Sequence, residues 1–194
     1  MIHNFYAMLA RMKYINRWGL MNNTRTENIS EHSLQVAILA HALVLIANKR
    51  FDCTLDAEHA AVLAIFHDAS EIITGDMPTP VKYGNERIIK AYKQIEQTAC
   101  ETLIDKLPPY LRESYEQIFL YEEKESEYFP YVKAADKLSA LIKCIDEIRL
   151  GNTEFTRAKE TVEKSLEDMR LPALDVFCKE FLPSFYLTLD EQQQ

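Results

Sequence analysis

Apolar residues recur at three- and four-residue spacing along nearly the whole chain, the pattern of amphipathic helices, and no stretch alternates convincingly at period two. The four glycines (Gly19, Gly75, Gly84, Gly151) and seven prolines (Pro78, Pro80, Pro108, Pro109, Pro130, Pro172, Pro183) fall between these stretches rather than inside them. The pattern predicts helices over about 3–15, 30–49, 56–73, 84–106, 109–121, 130–150, 153–169 and 172–182, an all-α helical bundle. Asn28 or Ser30 is expected to cap the second helix and Asp56 the third, and Gly151 followed by Asn152 suits the left-handed turn that ends the sixth. The second helix (Leu34, Val36, Ile38, Leu39, Leu43, Leu45, Ile46) is apolar almost all round and is expected in the middle of the bundle. The acidic stretch Glu122–Glu127 reads as a solvated loop or helix end.

Composition narrows this further. A chain of 194 residues that is 47% apolar and 27% charged is ordinary globular material. At this length one domain buries roughly 70% of the surface its unfolded chain would expose. A single domain spanning residues 1–194 is therefore expected. Cys53, Cys100, Cys144 and Cys178 are too widely spaced for a zinc or redox motif and read as free, buried thiols in a reducing cytosol. The first residues lack the apolar run and cleavage site of a leader. The longest apolar run, Val36–Ala47, is broken by His41 and is shorter than the roughly 20 residues of a membrane span. A cytoplasmic protein with no membrane partner is expected.

The net charge of -8 conceals an asymmetry: residues 1–50 carry six basic side chains against only Glu27 and Glu31. An anion site is expected in that basic quarter. The acidic remainder argues against a polymeric nucleic acid as partner, since such binding rests on clustered Lys and Arg, but leaves a small anionic ligand open.

The candidate chemistry begins at His67-Asp68, which follows the apolar run Val62–Phe66 and precedes Ala69-Ser70-Glu71. On a helix, ionisable groups among core neighbours need partners or a cation, and Glu71 would share the face of His67 four residues earlier. His32, in the first turn of the second helix, and Asp136, beside Ala134-Ala135 in the sixth, complete a His2Asp2 set. Such ligands suit Mn, Co, Fe, Ni or Zn with positions open to water and substrate, although spacing alone leaves coincidence open. His41 lies nine residues beyond His32, about 180° round the same helix, and reads as a core histidine. His3 and His59 read as solvent-facing. Phe177, Phe181, Phe185 and Tyr186 read as core or subunit contacts.

The words around these residues are more specific than the residues themselves. They are Ile15-Asn16-Arg17-Trp18, Arg25-Thr26-Glu27-Asn28-Ile29-Ser30-Glu31-His32-Ser33, His67-Asp68-Ala69-Ser70-Glu71 and Gly75-Asp76-Met77-Pro78-Thr79-Pro80-Val81-Lys82-Tyr83. The order His, His-Asp, Asp resembles the HD-domain phosphohydrolase superfamily, and the flanking words are similar to the bacterial 5'-deoxynucleotidase family over essentially the whole chain. The resemblance implies a single HD-domain helical bundle that hydrolyses deoxyribonucleoside 5'-monophosphates (dNMPs) to deoxynucleoside and phosphate. It implies a divalent ion, cobalt or manganese foremost with Zn, Fe, Ni or Cu as alternatives, and a homodimer. His32, His67, Asp68 and Asp136 would hold the metal, while Glu71 would handle the proton as general acid or base.

By the same resemblance Arg17 would bind and stabilise the phosphate through its planar donor fork, and Trp18, the sole tryptophan, would pack against the nucleotide. On the residues alone, a surface salt bridge is the favoured reading for Arg17 and core packing for Trp18. Asp76 would accept a 3'-hydroxyl, and the turn Asp76, Met77, Pro78, Thr79 would crowd a 2'-hydroxyl and select deoxyribose. The implied substrate contacts are thus Arg17, Trp18, His32, Asp68, Asp76, Met77, Pro78, Thr79 and Asp136. A Gly-Asp-x-Pro turn is also common with no ligand at all, and Lys82 could add positive potential or be solvated surface. Two other readings keep the metal: hydrolysis of another nucleotide, cyclic or pyrophosphorylated, or a non-catalytic, metal-containing nucleotide-binding module. Glu71 and Arg17 argue against the last, because a structural ion needs neither.

Overall fold

Helices account for the regular structure of the computed structural model, which describes residues 2–82, 84–120 and 126–193 and, at Thr79, the backbone alone. Tyr83 and the greater part of the expected acidic loop, Glu122–Glu125, lie outside the described residues. In chain order the helices are α1 (Phe5–Leu9), α2 (Ile29–Arg50), α3 (Ala57–Phe66), α4 (Glu71–Thr74), α5 (Thr79–Lys82), α6 (Glu86–Ile104), α7 (Pro109–Phe119), α8 (Phe129–Arg149), α9 (Thr156–Glu167), α10 (Pro172–Glu180) and α11 (Leu189–Gln192). Short 3-10 turns occupy Ala10–Tyr14, Thr153–Phe155 and Leu182–Tyr186. Among the described residues no strand forms; Asn16 and Asn28 make one isolated antiparallel bridge. The all-α expectation holds.

The chain falls into two compact units. The first comprises residues 1–21, 26–34 and 65–126, and so holds α1, the first turns of α2, and α4 to α7. Its core is Phe5, Ala69, Leu103 and Leu107, with Met8, Ile72, Tyr115 and Phe119 packed against them. Phe5 meets Tyr115 edge-on at 4.7 Å between ring centroids, a favoured aromatic geometry. The second unit comprises residues 22–25, 35–64 and 127–194. Buried within it are Leu138, Leu141 and Ile145 of α8, Leu43 of α2, Phe155 and Leu174.

Several boundaries follow the sequence. The Asn28 side chain accepts from the backbone N–H groups of Ser30 and Glu31 at 3.0 and 3.1 Å and so starts α2. Asp56 accepts from His59 N–H at 3.0 Å and starts α3, and Gly151, at φ 86°, ends the turn after α8.

Other expectations are corrected. The first predicted helix breaks after Leu9 into a 3-10 turn, and the seventh likewise begins as a 3-10 turn. The helix expected over 56–73 stops at Phe66. From there the chain runs on i to i+3 bonds, Ala69 N–H to Phe66 C=O at 3.0 Å and Glu71 N–H to Asp68 C=O at 3.0 Å, before α4 begins. A run of His, Asp and Ser, with weak helix propensity, permits this tighter winding.

The second helix is not enclosed all round. Leu34, Ile38 and Leu45 are 61%, 62% and 41% exposed, forming one stripe, with His41 half-buried between them. At 22 residues α2 is long and apolar enough to cross a bilayer, contrary to the estimate from its longest apolar run. Half of that stretch is buried inside the protein, as in a core helix. No disulfide joins the four cysteines among the described residues, and only Cys144 is buried.

Candidate metal and phosphate site

Residues 15–17 and 27–29 run side by side and close the first part of the site. Arg17 N–H donates to Glu27 C=O at 2.9 Å and Ile29 N–H to Ile15 C=O at 3.0 Å, on either side of the Asn16–Asn28 bridge. This clasp sets Arg17 and Trp18 in register with the start of α2. There the Asn28 cap fixes the first turn and buries His32 completely.

His67 and Asp68 stand in the tight turn after α3, not on the helix itself. Asp68 Oδ2 lies 3.1 Å from His67 Nε2 and 3.4 Å from His32 Nε2, and the two imidazole rings are 5.2 Å apart. One ligand atom from each of the three residues falls within 4.8 Å of the other two. Donors bound to one ion at about 2.0–2.2 Å stand roughly 3–3.6 Å apart at tetrahedral or octahedral angles, and the two measured separations lie in that range. Donor chemistry and spacing therefore both fit a divalent transition metal. Burial alone would raise the Asp68 carboxyl, but His67 and His32 outweigh it and hold the group well below its ordinary range.

Glu71 opens α4 one turn further on. It is 6% exposed, and among the described residues its Oε2 has no hydrogen-bond partner. Burial first, then the neighbouring Asp68 and Asp76, push its pKa up to about 9. Because the chain winds as a 3-10 turn before it, the expected shared helical face with His67 does not exist. What brings Glu71 to the cluster is the turn. Gly75, at φ 73°, ends α4 in a conformation that favours glycine and leads to Asp76, Met77 and Pro78, all half-buried. Burial lifts the Asp76 carboxyl above its ordinary range despite Arg17 nearby and a hydrogen bond from the Trp18 backbone. The rigid loop expected through Thr79 is shorter than foreseen, because Thr79 already opens α5; its side chain lies outside the described residues. Lys82, at the end of α5, pairs with Glu96 at 2.7 Å and sits over the Tyr92 ring at 4.7 Å.

Arg17 and Trp18 are joined by a residue to which sequence reasoning gave no role. Glu27 Oε2 accepts from Arg17 Nη1 and from Trp18 Nε1, each at 2.9 Å. The available signal was compositional: Glu27 is one of just two acids among the first 50 residues. The remaining expected ligand, Asp136, is on α8 among residues of the second unit, with Lys133 Nζ 2.9 Å from its Oδ2; the three-donor cluster does not include it. His3 and His59 are exposed, as expected.

The profile of the family described as "5'-deoxynucleotidase YfbR-like" matches residues 4–185. A 5'-deoxynucleotidase of Shewanella oneidensis is 52% identical over 188 residues, covering 97% of this chain and 96% of that protein. The 5'-deoxynucleotidase YfbR of Salmonella newport is 50% identical over 191 residues, covering 98% and 96%. Among solved structures, an HD-domain phosphohydrolase of Listeria innocua superposes with a TM-score of 0.83 at 20% identity, over 99% of this chain and 92% of that one. A cyanophage S-2L HD phosphohydrolase bound to dA and one catalytic Zn2+ ion superposes with a TM-score of 0.65 at 20% identity, over 94% and 96%. The fold is thus that of HD-domain phosphohydrolases, and the profile match together with relatives half identical over nearly their full length establishes that this chain belongs to the 5'-deoxynucleotidase YfbR-like family.

Proposed function

We propose that this protein is a metal-dependent 5'-deoxynucleotidase that hydrolyses deoxyribonucleoside 5'-monophosphates to deoxynucleoside and phosphate. The observation that carries the reading is the convergence of His32, His67 and Asp68 within 4.8 Å, beside the buried carboxyl of Glu71. The relatives named 5'-deoxynucleotidase supply the substrate class. His32, His67 and Asp68 hold the ion, Asp136 is its fourth protein ligand, and cobalt or manganese is the metal. Such an ion polarises a phosphoryl oxygen and brings the pKa of water toward neutrality.

The chain's own residues do the rest. In the reaction a water oxygen adds to phosphorus, the bond from phosphorus to the 5'-oxygen breaks, and that oxygen takes up a proton. Glu71 holds and moves the proton as general acid or base, a role suited to a carboxyl that burial keeps protonated. Arg17 orients the phosphate and balances its charge. Trp18 packs against the nucleoside, and Asp76 accepts the 3'-hydroxyl while Met77, Pro78 and Thr79 crowd a 2'-hydroxyl. Since these contacts address phosphate and sugar, base preference is small. The protein works in the cytoplasm as a homodimer.

A phosphate-release panel tests the reading: the four common dNMPs and their ribonucleotide counterparts, each with Co, Mn or Zn. Release from dNMPs in preference to NMPs, strongest with Co or Mn, is expected. Equal release from AMP and dAMP overturns the deoxyribose selectivity alone; release from no monophosphate overturns the function. Light scattering at working concentration tests the dimer.

A further inference from the structure

The carboxylate of Glu27 does something that neither the expected metal set nor the expected substrate set requires. A single oxygen, Oε2, receives the guanidinium of Arg17 and the indole N–H of Trp18, both at 2.9 Å. The Arg17 and Glu27 side chains are each only 13% exposed, so this pair is largely withdrawn from the screening that makes surface ion pairs weak. The guanidinium also lies 5.8 Å from the centre of the Trp18 ring, within cation–π range. Below the side chains, the backbone bond from Arg17 N–H to Glu27 C=O ties the same two residues again.

Trp18 gives a second, independent indication. Its φ is 60°, a left-handed conformation that is a genuine outlier for a bulky residue. Such a conformation persists where surrounding contacts over-determine it, and these outliers gather at ligand-binding sites. Here Met21 N–H donates to Trp18 C=O at 2.9 Å, closing the turn, and Glu27 anchors the indole.

We propose that Glu27 is a positioning residue that fixes Arg17 and Trp18 as one unit, presenting guanidinium and indole in the arrangement that a nucleoside monophosphate needs. The proposal rests on the reading that Arg17 takes the phosphate and Trp18 the nucleoside. Glu27 itself touches no substrate. Its effect is to order two side chains before binding, so its loss weakens binding more than it slows a bound complex.

Trp18 is the sole tryptophan, so its fluorescence reports the proposed contact without any reference to activity. In the metal-loaded protein, E27A is expected to shift Trp18 emission and lower its anisotropy, with far-UV circular dichroism unchanged. It is also expected to lower kcat/KM for dAMP by roughly tenfold or more, chiefly through KM, the signature of lost binding rather than lost chemistry. E27Q, whose amide oxygen still accepts from both donors without the charge, should keep the Trp18 emission and recover part of the loss; it carries the same measurements should E27A not fold. R17A/E27A should lose less than the product of the two single losses, because residues acting as one unit are non-additive. Unchanged Trp18 emission in E27A, or losses that multiply in the double variant, overturn the proposal. R17A at wild-type kcat/KM overturns the phosphate role of Arg17, and with it the kinetic half of the proposal, while Trp18 emission still decides whether Glu27 holds the indole.

Discussion

Lys143 and Glu147, one turn apart on α8, form an ion pair that is almost wholly buried: Glu147 is 1% exposed and Lys143 8%. The carboxylate also accepts from the backbone N–H groups of Thr24 and Arg25 at 2.8 and 3.1 Å and from Asn152 Nδ2 at 2.8 Å. Lys143 further donates to the Arg25 carbonyl. Burial alone would raise the carboxyl, but these donors outweigh it and hold Glu147 far below its ordinary range.

E147A should therefore destabilise by roughly 3–5 kcal/mol, the usual loss when one partner of a buried pair is removed. For a chain of this size that is about 10 °C in melting temperature. Replacing the pair together, as K143M/E147L, should not restore stability even though apolar replacement of buried pairs often does. The N–H groups of Thr24 and Arg25 would still have lost their acceptor. A double variant as stable as the wild type would show the pair alone to matter.

The same carboxylate sets an acid limit. Because its folded pKa is depressed below its ordinary 4.5, its stabilisation is complete above that value and disappears as pH falls through the range beneath it. Thermal melts of the wild type should fall steeply from about pH 4.5 downward. In E147Q the fall should be shallower from a lower plateau. Parallel curves for the two proteins would remove Glu147 as the source.

Glu71 presents the opposite case, a buried carboxyl with one oxygen unpartnered among the described residues. In E71Q, phosphate release should fall by about 10²–10⁴, the ordinary contribution of a general acid or base. The melting temperature of the metal-free protein should not fall, since a neutral amide fits the buried position at least as well as a carboxyl. Full activity in E71Q would remove it from proton transfer.

The metal reading predicts a stability response as well as an activity response. Chelation should lower the melting temperature of wild-type protein, and added Co or Mn should restore it, because a ligand that binds only the folded state stabilises it. H67A should be indifferent to both. Since His67 and Asp68 share a turn rather than a rigid helix, the loaded protein should also protect the amides of residues 67–71 from hydrogen exchange.

How much of this was legible beforehand depended on the type of signal. Periodicity and caps gave α2, α3 and α8 to within a residue or two at most ends, because Asn28, Asp56 and Gly151 bond locally where the sequence says they should. The end of α3 was not legible. The apolar pattern runs on past Phe66, and nothing local announces that the backbone tightens to i+3 bonds there. That local winding decides where His67, Asp68 and Glu71 point. The role of Glu27 was hidden for a different reason: its contacts with Arg17 and Trp18 span ten and nine residues across a clasp that no periodicity marks.

The segment after α4 tests the sugar reading. Gly75 turns the chain, Asp76 lies half-buried with Arg17 nearby, and Pro78 stiffens the backbone just before α5. If Asp76 accepts the 3'-hydroxyl, D76A loses a charge-assisted hydrogen bond and should lower kcat/KM for dAMP by roughly tenfold or more. P78A removes the stiffness without removing the acceptor. It should leave dAMP hydrolysis nearly intact and raise that of AMP, narrowing the dAMP to AMP ratio from the permissive side. Measuring both substrates for both variants separates recognition of the 3'-hydroxyl from rejection of the 2'-hydroxyl. A P78A enzyme with an unaltered ratio would assign the discrimination to Asp76 or to another part of the site.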